Sequence, residues 1–166
     1  MGFFELIWPI FFPLCGAIIS VAHIRLKQYT DAQALGCFLM WQLAVGLGIG
    51  LLYGGLGHLF FADKVAASIG WPVGNPFQRE VGIWDTVMGL TAILCLKYGE
   101  DFWRAVIIGP GLFLVAAGAG HVWELMAHGN TSVNNAGAVM YFDLLYPLFL
   151  AALFLLYQRE KKKTPQ

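Results

Sequence analysis

His121, Glu124 and His128 lie three and seven residues apart. On a helix of about 3.6 residues per turn they fall within roughly 60° of one face. Two imidazoles and a carboxylate on one stripe suit Zn, Fe or Cu better than Ca or Mg. His58 follows Gly46, Gly50 and Gly54 at four-residue steps and would approach from another helix. His58 and His121 on two helices would also serve as axial ligands to haem. Glu80 and Asp85 complete the candidate metal ligands. Asp85 shares a helix face with Gln78, seven residues earlier, and Glu80 falls in a first turn, where the helix dipole favours a carboxylate. Gln78, Asn135 and Asp143 are candidates for the hydrogen-bonding partners that orient such ligands from behind. A plainer chemistry competes. A His-x2-Glu pair near a helix end also serves as a hydrogen-bonded clamp, and glycines at this spacing also serve helix packing.

These groups need a scaffold, and composition names one. Of 166 residues, 58% are hydrophobic, 15% aromatic and 12% charged, the last about half the share of a soluble chain. Mean hydropathy is +0.66, and ten bases cancel ten acids. Such a chain has too little polar surface for a soluble enzyme domain, a nucleic-acid binder or a disordered segment. A bilayer core of about 30 Å needs roughly 20 apolar residues per helix. Stretches 3–22, 34–61, 77–96, 103–127 and 136–157 qualify. They are too long, and alternate too little, for barrel strands. The expected fold is an all-α polytopic membrane bundle of about five transmembrane helices. It forms one domain over residues 1–158, followed by a basic tail at 159–166.

Local signals refine the helix ends. Asn75-Pro76-Phe77-Gln78 reads as a capping-box-like start for the third helix. Asn134 or Asn135 is placed to cap the fifth. Pro110 and Pro147 are expected to kink their helices, and Pro9 and Pro13 to loosen the first. The connection 62–74 is too long for a tight turn. Asp63 is placed to cap a short helix through Ser68, with Val65, Ile69 and Trp71 dipping into the membrane interface as a spacer or as a lid over the polar band. Residues 1–22 lack a basic leader and a clear cleavage site, so they read as a retained span. Cys15, Cys37 and Cys95 lie inside spans and read as small hydrophobes.

Charge gives an orientation. Arg25, Lys27, Lys97, Arg104, Arg159, Lys161, Lys162 and Lys163 fall on one side of five spans, and only Lys64 and Arg79 on the other. The positive-inside rule then puts the N-terminus outside and the C-terminus in the cytoplasm. Asp31, Glu100, Asp101, Glu160 and His23 accompany the bases. Glu5, Asp63, Glu80, Asp85, Glu124 and Asp143 gather in or near the outer half, with His58, His121 and His128. Arg79 is placed to bind an anionic headgroup or to pair with Glu5 or Asp63. Ionisable groups within spans are costly unless paired or wetted, so this outer band is where function is sought.

Several phrases here resemble a family of small prokaryotic multi-pass membrane proteins classed as a domain of unknown function. They are Gly57-His58-Leu59-Phe60-Phe61, then Val65-Ala66, Ile69-Gly70-Trp71-Pro72, Pro76-Phe77-Gln78 with Glu80-Val81-Gly82, Gly120-His121 with Glu124, and Asn135-Ala136-Gly137 with Asp143. The resemblance covers about residues 50 to 150. Arg79 departs from it, standing where an apolar residue is expected. The resemblance implies a bacterial or archaeal inner membrane and no particular activity.

Three functional readings follow. In the first, an outward-facing His/carboxylate site takes a transition metal or haem. In the second, the chain is a non-catalytic accessory subunit, and the Gly46, Gly50, Gly54 stripe packs within the fold or makes a homo-oligomer. In the third, Glu5, Asp85, Glu124 and Asp143 are proton or cation stations of a small transporter or channel. The cytoplasmic half, nearly bare of polar residues within the spans, argues against a continuous path. No nucleophile motif, phosphate loop or nucleotide fingerprint is visible, so catalysis stays open. The partners expected are the lipid bilayer and, through the stripe, further copies of the chain; nucleic acid is not expected.

Overall fold

The computed structural model describes residues 3–163, with side chains from residue 7 onward. Glu5 therefore lies outside the described side chains. The chain forms α1 (Phe3–Lys27), α2 (Asp31–Trp41), a π-helical segment (Gln42–Ile49) and α3 (Gly50–Phe60). A short α4 (Ala62–Ile69), α5 (Phe77–Ile93) with a 3₁₀ turn (Leu94–Leu96), α6 (Glu100–His128) and α7 (Ala138–Lys161) follow. Among the described residues there is no strand, and the fold is the expected all-α bundle. Four helices are long and apolar enough to cross a membrane: Ile7–Lys27, Asp31–Phe60, Glu100–His128 and Ala138–Lys161. The remaining expected stretch, 77–96, is α5 with its 3₁₀ turn. At 17 residues, α5 alone spans about 25 Å.

The long helix Asp31–Phe60 is the central post, with 61% of its apolar window buried against 22% for α1 and 39% for α6 and α7. Leu39, Leu43, Leu47 and Leu51 form its buried line. They meet Trp103, Val106 and Leu114 of α6 and Leu150, Leu153 and Phe154 of α7. In a regular α-helix a four-residue step overshoots one turn by about 40°, so this line would drift off the core within three steps. The wider winding of the π segment takes up that drift and keeps the leucines inward.

Gln42, the first π residue, ties three helices together. Its Nε2 donates to the Pro13 carbonyl of α1 (3.1 Å). Its Oε1 accepts from the Tyr146 hydroxyl of α7 (2.8 Å), which also lies 3.0 Å from the Gln42 carbonyl. The half of the bundle expected to be bare of polar groups thus holds this buried knot, with Ser20 bonded back to Gly16 O (2.5 Å).

Backbone meets backbone between α5 and the post. A Cβ added to Gly89 would sit 2.7 Å from Gly48 O and Leu52 N, and one on Gly55 would sit 2.9 Å from Gly82 O. The glycines of closest approach are therefore Gly48 and Gly55 against Gly82 and Gly89, two pairs each seven residues apart. The expected stripe turns elsewhere within the chain: Gly46 lies against the Tyr146 hydroxyl, Gly50 against Phe12 and Gly54 against Trp8.

The two ends differ. At the basic end Glu100 accepts from Tyr157 Oη and Gln158 Nε2 (both 2.7 Å) and from Lys161 Nζ, joining the start of α6 to the end of α7. Trp41 Nε1 donates to His23 Nδ1 there (2.9 Å). At the opposite end, α4 and the 129–137 loop fasten to each other. Asn130 Nδ2 donates to Ile69 O and Asn134 Nδ2 to Ser68 Oγ (both 2.9 Å).

Three expected caps are overturned. Pro76, not Asn75, stands at the cap of α5, with no side-chain cap bond; Asn75 Nδ2 turns back to Pro72 O, and Gln78 turns inward. Gly137 caps α7, because Asn134 and Asn135 are spent on tertiary bonds. Asp63 falls in the first turn of α4, as an acid should, but its carboxylate accepts from Gly74 N (2.9 Å) and caps nothing. The helices continue through Pro9, Pro13, Pro110 and Pro147.

Gly89→Ala is expected to cost about 1–3 kcal/mol, because its new methyl meets main chain that cannot swing away. Gly50→Ala, whose methyl would meet only Phe12 at 3.8 Å, should be neutral or stabilising. Thermal unfolding of the two variants in detergent measures the contrast.

Candidate functional site

Two of the outer histidines, His58 and His121, are each held by a carboxamide. His58, near the end of α3, places Nδ1 2.7 Å from Gln78 Oε1. The oxygen must accept, so Nδ1 carries a proton, and Nε2 is turned away from Gln78. The glycine contact of α3 with α5 is what brings these two side chains together across the helix pair.

His121 is held more completely. Its Nδ1 lies 2.9 Å from Asn135 Oδ1. The Asn135 amide nitrogen is committed to the carbonyls of Asn130 (2.8 Å) and His121 (3.3 Å). That orientation again makes Nδ1 the donor. On the other side of the ring, Nε2 faces Asp143 Oδ2 at 3.7 Å, both side chains 9% exposed. A proton on Nε2 makes this an imidazolium–carboxylate pair. Trp71 stacks over the ring, centroids 6.5 Å apart and planes 17° from parallel.

Beside these groups runs a partly open cleft of about 1680 Å³. It lies between α3 on one side and α6 and α7 on the other, under α4. Its walls are mainly apolar and aromatic, including Trp8, Trp71, Phe77, Phe113 and Phe142. His58, Asp85, His121, Glu124 and Asp143 also line it. Asp85 stands halfway along α5 and is 8% exposed. Its Oδ1 is buried without a hydrogen-bond partner. Asp143 is near enough to interact electrostatically with Asp85.

The six expected metal ligands divide among separate partners. His58 goes to Gln78, and His121 to Asn135 and Asp143. Glu124 pairs at the surface with His128 (4.0 Å), whose ring meets Trp123 edge-on. Glu80 is exposed beside Arg79 (3.6 Å), and Asp85 stands alone. Among the described residues no three His, Cys, Asp or Glu side chains are placed to hold a metal ion. The stripe of His121, Glu124 and His128 exists on α6, but its buried member faces the cleft and the other two face each other. His58 and His121, the pair expected to bridge a haem, line the same cleft. Gln78, Asn135 and Asp143, expected behind the ligands, are the groups that hold the two imidazoles.

Sequence reasoning missed Trp71 as a partner of His121, and the clasp of Asn130 and Asn134 on α4. The Asn-rich run 130–135 was the available signal. Capping is the local use of asparagine, and it is the use that Asn134 and Asn135 suggest in sequence.

The family of unknown function DUF6790 matches residues 6–163. The chain belongs to this family. The match reaches well beyond the 50–150 stretch that carries the resemblance in sequence, and takes in all seven α-helices. No characterised protein and no solved structure matches the chain.

Asn135→Ala should leave His121 Nδ1 and the carbonyls of His121 and Asn130 without their partner. A loss of about 1–3 kcal/mol is expected, with faster proteolysis of the 129–137 loop than in the parent.

Proposed function

We propose that the protein is an integral protein of the cell inner membrane, with its N-terminus outside and its C-terminus in the cytoplasm. Its outer cleft binds a small amphipathic molecule. The observation that carries this reading is the cleft itself: a large, mainly apolar cavity with a few polar groups gathered on its wall, the usual make-up of a small-molecule site. The central post leans on α7 at its α2 end and on α5 at its α3 end. Toward the outer side α3 and α7 therefore part, and an apolar tail can lie between them.

An organic occupant fits better than a metal or haem. Glu80 lies beside Arg79, Glu124 beside His128 and His121 Nε2 beside Asp143 Oδ2, and among the described residues no three such groups converge. A multidentate metal site would require these pairs to rearrange.

Protein purified in mild detergent is expected to carry an extractable amphipathic molecule near one per chain, identified by mass spectrometry. Gly120→Phe should lower that load severalfold. Gly120 lines the cleft, and a Cβ there meets nothing within 4 Å, so the ring fills the cleft without disturbing its walls. An unchanged load would overturn the reading, as would stoichiometric metal or haem lost on His58→Ala or His121→Ala.

The orientation has its own test. A fluorescent protein fused to the C-terminus should mature, and a phosphatase active only outside the cytoplasm should work at the N-terminus. The reverse pattern would invert the assignment.

A further inference from the structure

We propose that the head group taken by this cleft is a protonated amine, seated at Asp85. The inference rests on the cleft being a binding site and adds the chemistry of its occupant.

The argument begins with the charges on the cleft wall. Among the described residues Asp85, Glu124 and Asp143 are its acids and Lys64 its one lysine or arginine, with His58 and His121 the histidines. Lys64 sits on α4 at the rim, its ammonium 5.6 Å from the Phe61 ring centroid. Glu124 is engaged with His128. His58 Nδ1 is engaged with Gln78 Oε1. Asp143 Oδ2 faces His121 Nε2 at 3.7 Å. Asp85 remains, 8% exposed, with an oxygen, Oδ1, that has no hydrogen-bond partner.

A carboxylate left unpaired in an apolar wall is costly, and the cost is relieved by a cation that also donates hydrogen bonds. On the imidazoles only the Nε2 atoms remain, that of His121 facing Asp143 Oδ2. A ligand that brings donors and positive charge therefore fits this wall, whereas one that brings acceptors or negative charge does not. Trp8, Phe113 and Phe142 line the same cleft and offer ring faces that attract an ammonium. The apolar remainder of the cleft takes the amine's hydrocarbon tail.

The test uses three probes with one tail and different heads: dodecylamine, dodecanol and dodecanoate. The full chain is placed in nanodiscs of zwitterionic lipid, and binding is read by tryptophan fluorescence and by the shift in melting temperature, with empty nanodiscs subtracted. Dodecylamine should bind about tenfold tighter than dodecanol, and dodecanoate weakest. Asp85→Asn, equal in size, should erase the amine preference. Asp101→Asn, at the opposite end beside Arg104 (3.2 Å), should keep it. Equal binding of amine and alcohol by the parent chain would mean that Asp85 takes a proton instead, and would overturn the inference while leaving the cleft reading intact. A preference that survives Asp85→Asn would also overturn it. If none of the three probes binds, the cleft reading fails with it. The amine-against-alcohol comparison is made on the parent chain, so it decides even if Asp85→Asn does not fold.

Discussion

The contact of α3 with α5, backbone on backbone, is the constraint on which the site depends. Gly48 meets Gly89 and Gly55 meets Gly82, with a partner carbonyl within about 3 Å of where each Cβ would stand. Small residues permit this approach, and dispersion and weak Cα–H···O contacts reward it where lipid offers no hydrophobic drive between helices. Two glycine pairs a heptad apart fix the rotation of the helices as well as their separation. Rotation puts Gln78 within reach of His58 and turns Asp85 toward the Gly54 side of α3, with Asp85 Oδ2 3.8 Å from where a Gly54 Cβ would stand. Drawing α3 onto α5 also withdraws it from α7. One contact therefore assembles the polar wall and opens the cleft beside it.

The rest of the bundle follows from what an apolar medium demands of polar groups. Buried donors and acceptors must find one another. Gln42 does so with Pro13 and Tyr146, and Asn135 with His121 and Asn130. Trp103 Nε1 finds Cys95 O at 3.0 Å. These knots are closed: their groups are spent on holding helices and have nothing left for a ligand. Asp85 is the contrast, a charged group in the same medium with an open valence. A structural clamp and a binding group are thus told apart by their remaining hydrogen-bonding capacity. By that measure the Asn135-held His121 is a clamp, and Asp85 keeps hydrogen-bonding capacity to spare.

How much of this was legible in the sequence depends on the range of each interaction. The spans were legible because 20 apolar residues are a local property. The polar band was legible because an ionisable residue within such a run is conspicuous wherever its partner lies. The partners themselves were not. Gln78 and Asn135 each carry a local signal, a helix start, that competes with a tertiary use, and the tertiary use won because a buried imidazole costs more unpaired than a helix end exposed to water. Gln42 and Tyr146 lie 104 residues apart, and nothing near either one announces the other. The glycines allowed two readings, Gly46, Gly50 and Gly54 at four-residue steps or Gly48 and Gly55 at seven. Only the matching seven-residue pair on α5 chooses between them, and the π winding that sets which face points inward has no local sequence mark.

His121 joins the cleft to its cover. Its ring faces Asp143 on the cleft wall, lies against Trp71 just past α4, and is tied through Asn135 to the loop that fastens α4 by Asn130 and Asn134. A positive head group at Asp85 would change the field at Asp143, and with it the attraction between Asp143 and the His121 ring. The strength of the His121–Asp143 pair and the stability of the α4 cover are therefore linked by the same ring. A ligand that binds the covered form better than the uncovered one must, by the same free energy, hold the cover down. The cover is short and amphipathic, packed through Ala66 and Ile69 and tethered by Asn130 and Asn134. It is the part of the bundle that can respond to occupancy while the glycine contact below keeps the wall in place.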